Sequence, residues 1–312
     1  MSSRAWSAAG LALAGLTLAA GAAVAWGALV ERRQYTLRRH AVAGAGRLES
    51  PLRLLHLSDL HTAPWQEDKA AWVGALAETE PDLVVVTGDF FGHPDALPRI
   101  REALEPFRGV PGAFVFGSND YFVSRPKNPF GYFAGPSQMK NKPELLDTDS
   151  LHDFLTNELG WLDVNNTAAS LRVGNQRVDI VGVDDPHLRY DRLSEATLAL
   201  DEISKSEVPA LLLGVTHAPY QRVLNAFTEM ECDVIVAGHT HGGQVCVPGL
   251  GALVTNCDIP REQAKGLSSW SSGSDESLLN VSAGIGTSIY APMRFACPPE
   301  ASLIDFLPRS VE

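Results

Sequence analysis

Six short apolar runs, each closing on a polar cluster, constrain the fold of this 312-residue chain more than any other feature. Leu52–Leu57 runs into Ser58-Asp59, Leu83–Val86 into Thr87-Gly88-Asp89, and Ala113–Phe116 into Gly117. Val178–Val183 ends at Asp184-Asp185, Leu211–Val215 at Thr216-His217, and Val234–Ala237 at Gly238-His239. Runs of four to six β-branched and aliphatic residues suit strands buried on both faces. Helical patterns lie between several of them: Asp68 to Glu78, and Ser150 to Leu159 with Ser150 as cap and Gly160 as stop. The last third is richer in strand patterns, at Gly249–Val254, Leu278–Ser282 and Ala301–Phe306. Together these predict a layered α/β sandwich. Phe122 to Asp149 carries four prolines without a clear period, which marks a functional loop or a disordered stretch.

Ala5 to Val30 is 26 residues without a charge. A helix over about residues 5–30 would reach roughly 39 Å at ~1.5 Å per residue, enough to cross a bilayer. Trp6 and Trp26 flank it as interfacial aromatics do. The alternative is a signal peptide cleaved near Ala23-Val24-Ala25, for which the apolar run is long. The expectation is a single-pass membrane anchor over residues 1–47, helix plus basic linker, with Ala41 to Ser50 flexible. Residues 1–47 hold six arginines against Glu31, so of 25 bases and 37 acids the remainder keeps 19 against 36. Arg32, Arg33, Arg38 and Arg39 follow the span, and the positive-inside rule then favours a cytoplasmic body. So acidic a body predicts no nucleic-acid binding. The four cysteines show no CxxC spacing and read as free thiols.

The polar clusters fall at the C-terminal ends of predicted strands, the edge where open α/β sheets bind ligands. Asp59 and His61 are two apart and would face one way if the strand continued; His239 and His241 share that spacing. With Asp89, Asn119 and His217, the rim gathers two carboxylates, four imidazoles and an amide. Such a set suits Mn, Zn or Fe and is too nitrogen-rich for a dedicated Ca or Mg cage. An isolated Asp-x-His is common filler, and an isolated His at a strand end is commonly a satisfied residue. Gly238-His239-Thr240-His241-Gly242-Gly243 is costly as filler, and the ordered series is hard to reach by chance. His56, inside the first strand, reads as a packed core residue.

The series Asp59-Leu60-His61, Gly88-Asp89, Gly117-Ser118-Asn119-Asp120, His217 and Gly238-His239-Thr240-His241 resembles the calcineurin-like metallophosphoesterase family. The strings LLHLSDLH, VVVTGDF and VIVAGHTHGGQV resemble its membrane-associated bacterial branch. The likeness runs from about Leu52 to Phe306 and implies one domain over 48–312, a four-layer α/β/β/α sandwich. It implies two divalent metals bridged by a carboxylate and a hydroxide. Asp59, His61 and His241 would hold the first, Asp89 would bridge, and Asn119, His217 and His239 would hold the second. Asp89, Asn119, Asp120 and His239 would be the catalytic residues. The family's third motif reads Gly-Asn-His-Asp, where this chain has Gly117-Ser118-Asn119-Asp120. A strict match makes Ser118 the ligand, and a one-residue slip makes it Asn119. Either way the usual acid histidine is absent, a factor of roughly 10²–10⁴ in rate. His93, His152 or His187 would substitute, or the leaving group would need little help.

The resulting expectation is hydrolysis of a phosphomonoester, phosphodiester or pyrophosphate through a hydroxide bridging two metals. The tether makes a lipid-linked or nucleotide-lipid substrate attractive. The alternative is a catalytically weakened metal-binding scaffold at the membrane. Asp184-Asp185-Pro186-His187 is either support for the site or a turn. Gly284 to Ser288 has the look of a glycine loop, and Tyr290 to Arg294 would line the pocket, Arg294 meeting a substrate phosphate.

Overall fold

The apolar runs at Leu52–Leu57, Leu83–Val86, Leu211–Val215 and Val234–Ala237 are strands over those very residues in the computed structural model, which describes residues 2–126, 135–136, 144–205 and 207–309, with side chains from residue 10 onward. In chain order the first half holds α1 (Ser2–Leu29), β1 (Thr36–Ala43), β2 (Leu52–Leu57), α2 (Glu67–Ala75), β3 (Leu83–Val86) and α3 (Leu97–Leu104). Then come β4 (Gly112–Phe114), α4 (Ser118–Tyr121), α5 (Thr148–Asp153), β5 (Leu162–Asp163), β6 (Thr167–Val173) and β7 (Gln176–Gly182). The second half holds α6 (Leu193–Ser204), β8 (Leu211–Val215), α7 (Gln221–Glu229) and β9 (Val234–Ala237). It closes with the short pair β10 (Cys246–Val247) and β11 (Gly251–Ala252), then β12 (Gly266–Ser272), β13 (Asp275–Val281) and β14 (Glu300–Leu307).

Two six-stranded sheets result, in the orders β1-β14-β2-β3-β4-β5 and β12-β13-β9-β8-β7-β6. Strands β2 to β5 are mutually parallel, as are β7, β8, β9 and β13, so their C-terminal ends share a rim within each sheet. Side chains alternate across each strand. Leu52, Leu54, Leu83 and Val85 face the second sheet, where Ile180, Leu213 and Val234 meet them. Leu55, Leu57, Val84 and Val86 face the other way, against Ile100, Leu104, Phe107 and Phe154. On the far side, Val181, Ile235 and Leu279 pack on Leu200, Val223 and Phe227 of α6 and α7. This is the four-layer α/β/β/α sandwich. Each fully buried Leu or Phe contributes roughly 1.5–3 kcal/mol.

The segment read as a basic linker is not one. Thr36–Ala43 forms β1, an edge strand parallel to β14, and Arg38 Nε meets Glu300 Oε2 at 3.1 Å. Ala45 and Leu48, read as flexible, are buried in the layer between the sheets. Arginine-rich composition hid an alternation that an exposed edge strand tolerates. The cap of α5 is Asp147, whose side chain accepts from Ser150 N, rather than Ser150 itself. Gly249–Val254 yields only the two residues of β11. The Pro-rich stretch falls largely outside the described residues, with Phe122 bridged to Leu145 at its base.

Helix α1 is long and apolar enough to cross a membrane by length and composition over Gly10–Arg33. Its last turn is seated on the body. Gly27 O accepts from Arg294 N at 3.2 Å, and a Cβ on Gly27 would meet Met293 Cγ at 2.9 Å, so only glycine fits. Just beyond, buried Glu31 accepts from Trp26 Nε1 at 3.1 Å and from Cys297 N at 2.7 Å.

Candidate metal centre

The donors follow strand ends as the sequence predicts, but not by continued alternation. Strand β2 stops at Leu57. Asp59, His61, Asp89, His239 and His241 then take left-handed backbone angles, with φ of 49°, 41°, 57°, 66° and 50°. Such angles cost non-glycine residues of order 1 kcal/mol or more each and persist where surrounding structure fixes them. Here backbone bonds do so: Asp59 N to Gly88 O, His61 N to Asp89 O, and Gly238 N to His217 O, all between 2.8 and 3.0 Å.

Asp59 is fully buried and oriented by a chain of hydrogen bonds that crosses the two sheets. Asn280 Nδ2 on β13 donates to His56 Nδ1 (2.8 Å), and His56 Nε2 meets Thr87 Oγ1 (2.9 Å). Thr87 Oγ1 donates to Ser58 Oγ (2.7 Å), which donates to Asp59 Oδ2 (2.6 Å). Burial drives His56 down to about 3, so it stays neutral and the tautomer follows from the network. His56 is therefore the packed residue expected, with an added positioning task. His239 N also donates to Asp59 Oδ2 at 2.9 Å. Gly238 makes this approach feasible, because a Cβ there would collide with Ser58 Oγ and come within 2.5 Å of Asp59 Oδ2.

The other oxygen, Asp59 Oδ1, is buried without a hydrogen-bond partner. It lies 3.5 Å from His241 Nε2 and 4.0 Å from His61 Nε2, and those two nitrogens face each other at 3.1 Å. Asp89 Oδ2 lies 3.3 Å from His61 Nε2 on one side and 3.6 Å from His217 Nε2 on the other. His217 Nε2 is 3.3 Å from His239 Nδ1. Asp59-His61-His241 and Asp59-Asp89-His217 each bring their ligand atoms within 4.8 Å of one another.

Electrostatics fit a cation. Burial lowers His61 to about 4 and drives His239 and His241 well below the usual imidazole range, leaving neutral lone-pair donors. His217 runs the other way: against burial, the carboxylates of Asp89, Asp185 and Asp59 hold it up to about 9. Positive charge is favoured at that point. An orphaned buried carboxylate oxygen, converging imidazoles and a local preference for positive charge are what a divalent cation satisfies.

Asn119 approaches Asp89 with both its amides. Its backbone N donates to Asp89 Oδ1 and its Nδ2 to Asp89 Oδ2, each at 2.8 Å, while its Oδ1 accepts from Ser124 Oγ at 2.6 Å. Ser118 Oγ sits 3.5 Å from the Asn119 amide. Asp120, expected among the catalytic residues, bonds backbone amides. It is fully buried, and its oxygens accept from the backbone amides of Asp89 (2.7 Å), Phe90 (2.7 Å) and Gly117 (2.8 Å). Its reach is to the turn that carries Asp89.

One residue escaped the sequence reading, and another was read for a different task. Asn256 O lies 3.2 Å from His239 Nε2, fixing that ring. Arg294, expected at a substrate phosphate, is instead fully buried and bonds carbonyls of Ala283 (2.7 Å), Gly284 (3.0 Å) and Gly286 (2.7 Å) through Nη2 and of Cys297 (3.3 Å) through Nη1. Its Nη2 is also 3.3 Å from His241 Nδ1. No local signal marks a buried arginine. Of the three substitute acids, His152 pairs with Asp163 (3.1 Å) and His93 accepts from Asp95 N (3.1 Å). His187 alone among them is in ring contact with a donor of the cluster: its ring centroid lies 4.5 Å from that of His239, and its Nδ1 is 3.0 Å from Tyr220 OH. The Asp184 to His187 turn thus supports the rim, with Asp185 facing His217.

A four-layer α/β/β/α sandwich with buried carboxylates and imidazoles on its shared rim is the architecture of the metallo-dependent phosphatases. The model of the calcineurin-like phosphoesterases matches residues 52–243, and the chain belongs to that family. It is 30% identical to YpbG of Bacillus subtilis over 62% of this chain and 63% of that protein, so the match spans just under two thirds of that relative. It is 25% identical to the phosphodiesterase YaeI of Escherichia coli over 88% of each chain. To the UDP-2,3-diacylglucosamine pyrophosphatase LpxG of Chlamydia trachomatis it is 25% identical, over 81% of this chain and 83% of the other.

Proposed function

We propose that the protein is a membrane-anchored phosphoesterase that hydrolyses a phosphomonoester, phosphodiester or pyrophosphate at a dinuclear metal site. The observation that carries this reading is Asp89 Oδ2 between His61 and His217, at 3.3 and 3.6 Å, in the position of a shared anion. Asp59, His61 and His241 would hold one cation, Asn119, His217 and His239 the other, and Asp89 both. Two divalent cations so held, Mn, Zn or Fe by donor type, would acidify a captured water and neutralise phosphoryl charge.

The chain's own groups do the rest. The relay ending at Ser58 turns Asp59 Oδ1 toward the donors. Asp120 sets the Asp89 turn, and Asn256 orients His239. His187, beside His239, is placed to protonate a departing oxygen, the task the missing motif histidine leaves open. The pyrophosphatase relative and α1 support a lipid-linked or nucleotide-lipid substrate, and the arginines after α1 support a body on the cytoplasmic face.

The test is hydrolysis of p-nitrophenyl phosphate and its bis ester by the full chain with Mn, alongside Asp89→Ala and an elemental metal count. Turnover abolished in the variant supports the reading. Equal silence of both proteins at normal metal content would favour the scaffold alternative.

A further inference from the structure

A cavity of about 260 Å³ lies between the end of α1 and the start of α2. Its walls include Arg32 and Arg33 beyond α1, Trp65 and Lys69 around the start of α2, and Gly286 and Thr287 from the loop before β14. A water in the liquid takes about 30 Å³, so the space suits a headgroup rather than a single solvent molecule. Neither arginine side chain makes a hydrogen bond or ion pair among the described residues, and Arg32 Nε is buried. Buried donors of that kind are normally satisfied, so a ligand acceptor is expected there. Two acids also line the space. Glu67 is drawn to Arg99 Nη2 at 3.3 Å, which leaves Asp68 against Arg32 and Arg33.

The cavity joins two environments. Arg32 and Arg33 close the apolar segment Gly10–Arg33, so the mouth falls at headgroup depth if α1 spans a bilayer, with Trp65 63% exposed beside it. At the inner wall, Lys69 Nζ donates at 2.9 Å to the backbone carbonyl of His61, a donor of the cluster. Glu31 and Gly27 fix α1 to the loop that carries Arg294, so the mouth cannot swing away from the site.

We propose that this cavity is the headgroup subsite for a phosphate-bearing membrane lipid, with Arg32 and Arg33 contacting its anionic oxygens while the acyl chains stay beside α1. The proposal rests on the phosphoesterase reading and adds the substrate's physical form and its entry route. The lipid would enter sideways from the bilayer and present its ester bond to Asp89 and the flanking imidazoles without leaving the membrane.

The test is calorimetric binding to the full chain in neutral-detergent micelles after chelation, so that no turnover occurs. Dioctanoyl phosphatidic acid is the probe, with dioctanoylglycerol and inorganic phosphate as controls. The phosphatidate should bind, the diacylglycerol should not, and Arg32→Gln/Arg33→Gln should weaken binding at least about tenfold, as loss of charge-assisted bonds implies. Arg33→Glu, at an exposed side chain, should keep the wild-type melting temperature and also weaken binding. Unchanged affinity in both variants, or inorganic phosphate binding as tightly as the lipid, would overturn the proposal. Because the chelated protein is used, either result is independent of the Asp89→Ala hydrolysis assay.

Discussion

Asn119 grips Asp89 at both oxygens, through its backbone amide and its side-chain Nδ2, each at 2.8 Å. The motif alone left two ligand candidates, and of the two it is Asn119 that touches Asp89. Ser118 comes only within 3.5 Å of the Asn119 amide. An amide nitrogen and oxygen are interchangeable by a flip, so the same side chain can turn its oxygen to a cation.

Asn119→Ala should therefore lower bound metal and cut hydrolysis on the order of 10–100-fold, as loss of groups around a metal usually does. Ser118→Ala should leave metal content unchanged. Elemental analysis of both variants decides the matter, and a greater metal loss from Ser118→Ala would reverse the order.

Asp120→Asn should act on stability and metal affinity together. The amide would present an NH₂ group to backbone donors now satisfied by a carboxylate. A cost of about 1–3 kcal/mol in urea unfolding is expected, with metal binding weakened in chelator competition. An effect on turnover with unfolding and metal affinity both unchanged would restore Asp120 to a direct catalytic place.

Arg294→Met keeps much of the side-chain length but leaves the carbonyls of Ala283, Gly284 and Gly286 without a donor. Because Arg294 also touches His241, denaturation should shift by about 3 kcal/mol or more and metal content should fall. An unchanged denaturant midpoint would contradict the assigned role.

The chelated protein should weaken in acid. His56 has a folded value of about 3 against an ordinary 6.5, because burial disfavours its charged form. The unfolded chain then binds more protons between those values, so the contribution is complete above about 6.5 and is lost as pH falls toward 3. His56→Gln can keep a donor toward Thr87 and an acceptor for Asn280 while removing the titration. Thermal melts from pH 7 to 4 should fall less steeply in this variant; parallel slopes would assign the acid sensitivity elsewhere.

Much of the fold was legible because its central strands are buried on both faces and must be continuously apolar. Leu52–Leu57 and Val234–Ala237 could be read to the residue for that reason. The rim donors were legible because Asp, His and Gly are poor filler at the ends of such runs. Edge strands were not: β1 sets Arg38, Arg39 and His40 in a row inside Thr36–Ala43, and only its pairing with β14, more than two hundred residues away, makes it a strand.

By itself the sequence determined the layered α/β plan, the apolar N-terminal segment and the chemical types at the rim, since each follows from local pattern. Tertiary structure alone decided which of Ser118 and Asn119 reaches Asp89, that Arg294 is buried, that Asn280 orients Asp59 through His56, and that α1 is seated beside the site. Those relations join residues distant along the chain, and pattern along a single chain carries no distance between its parts.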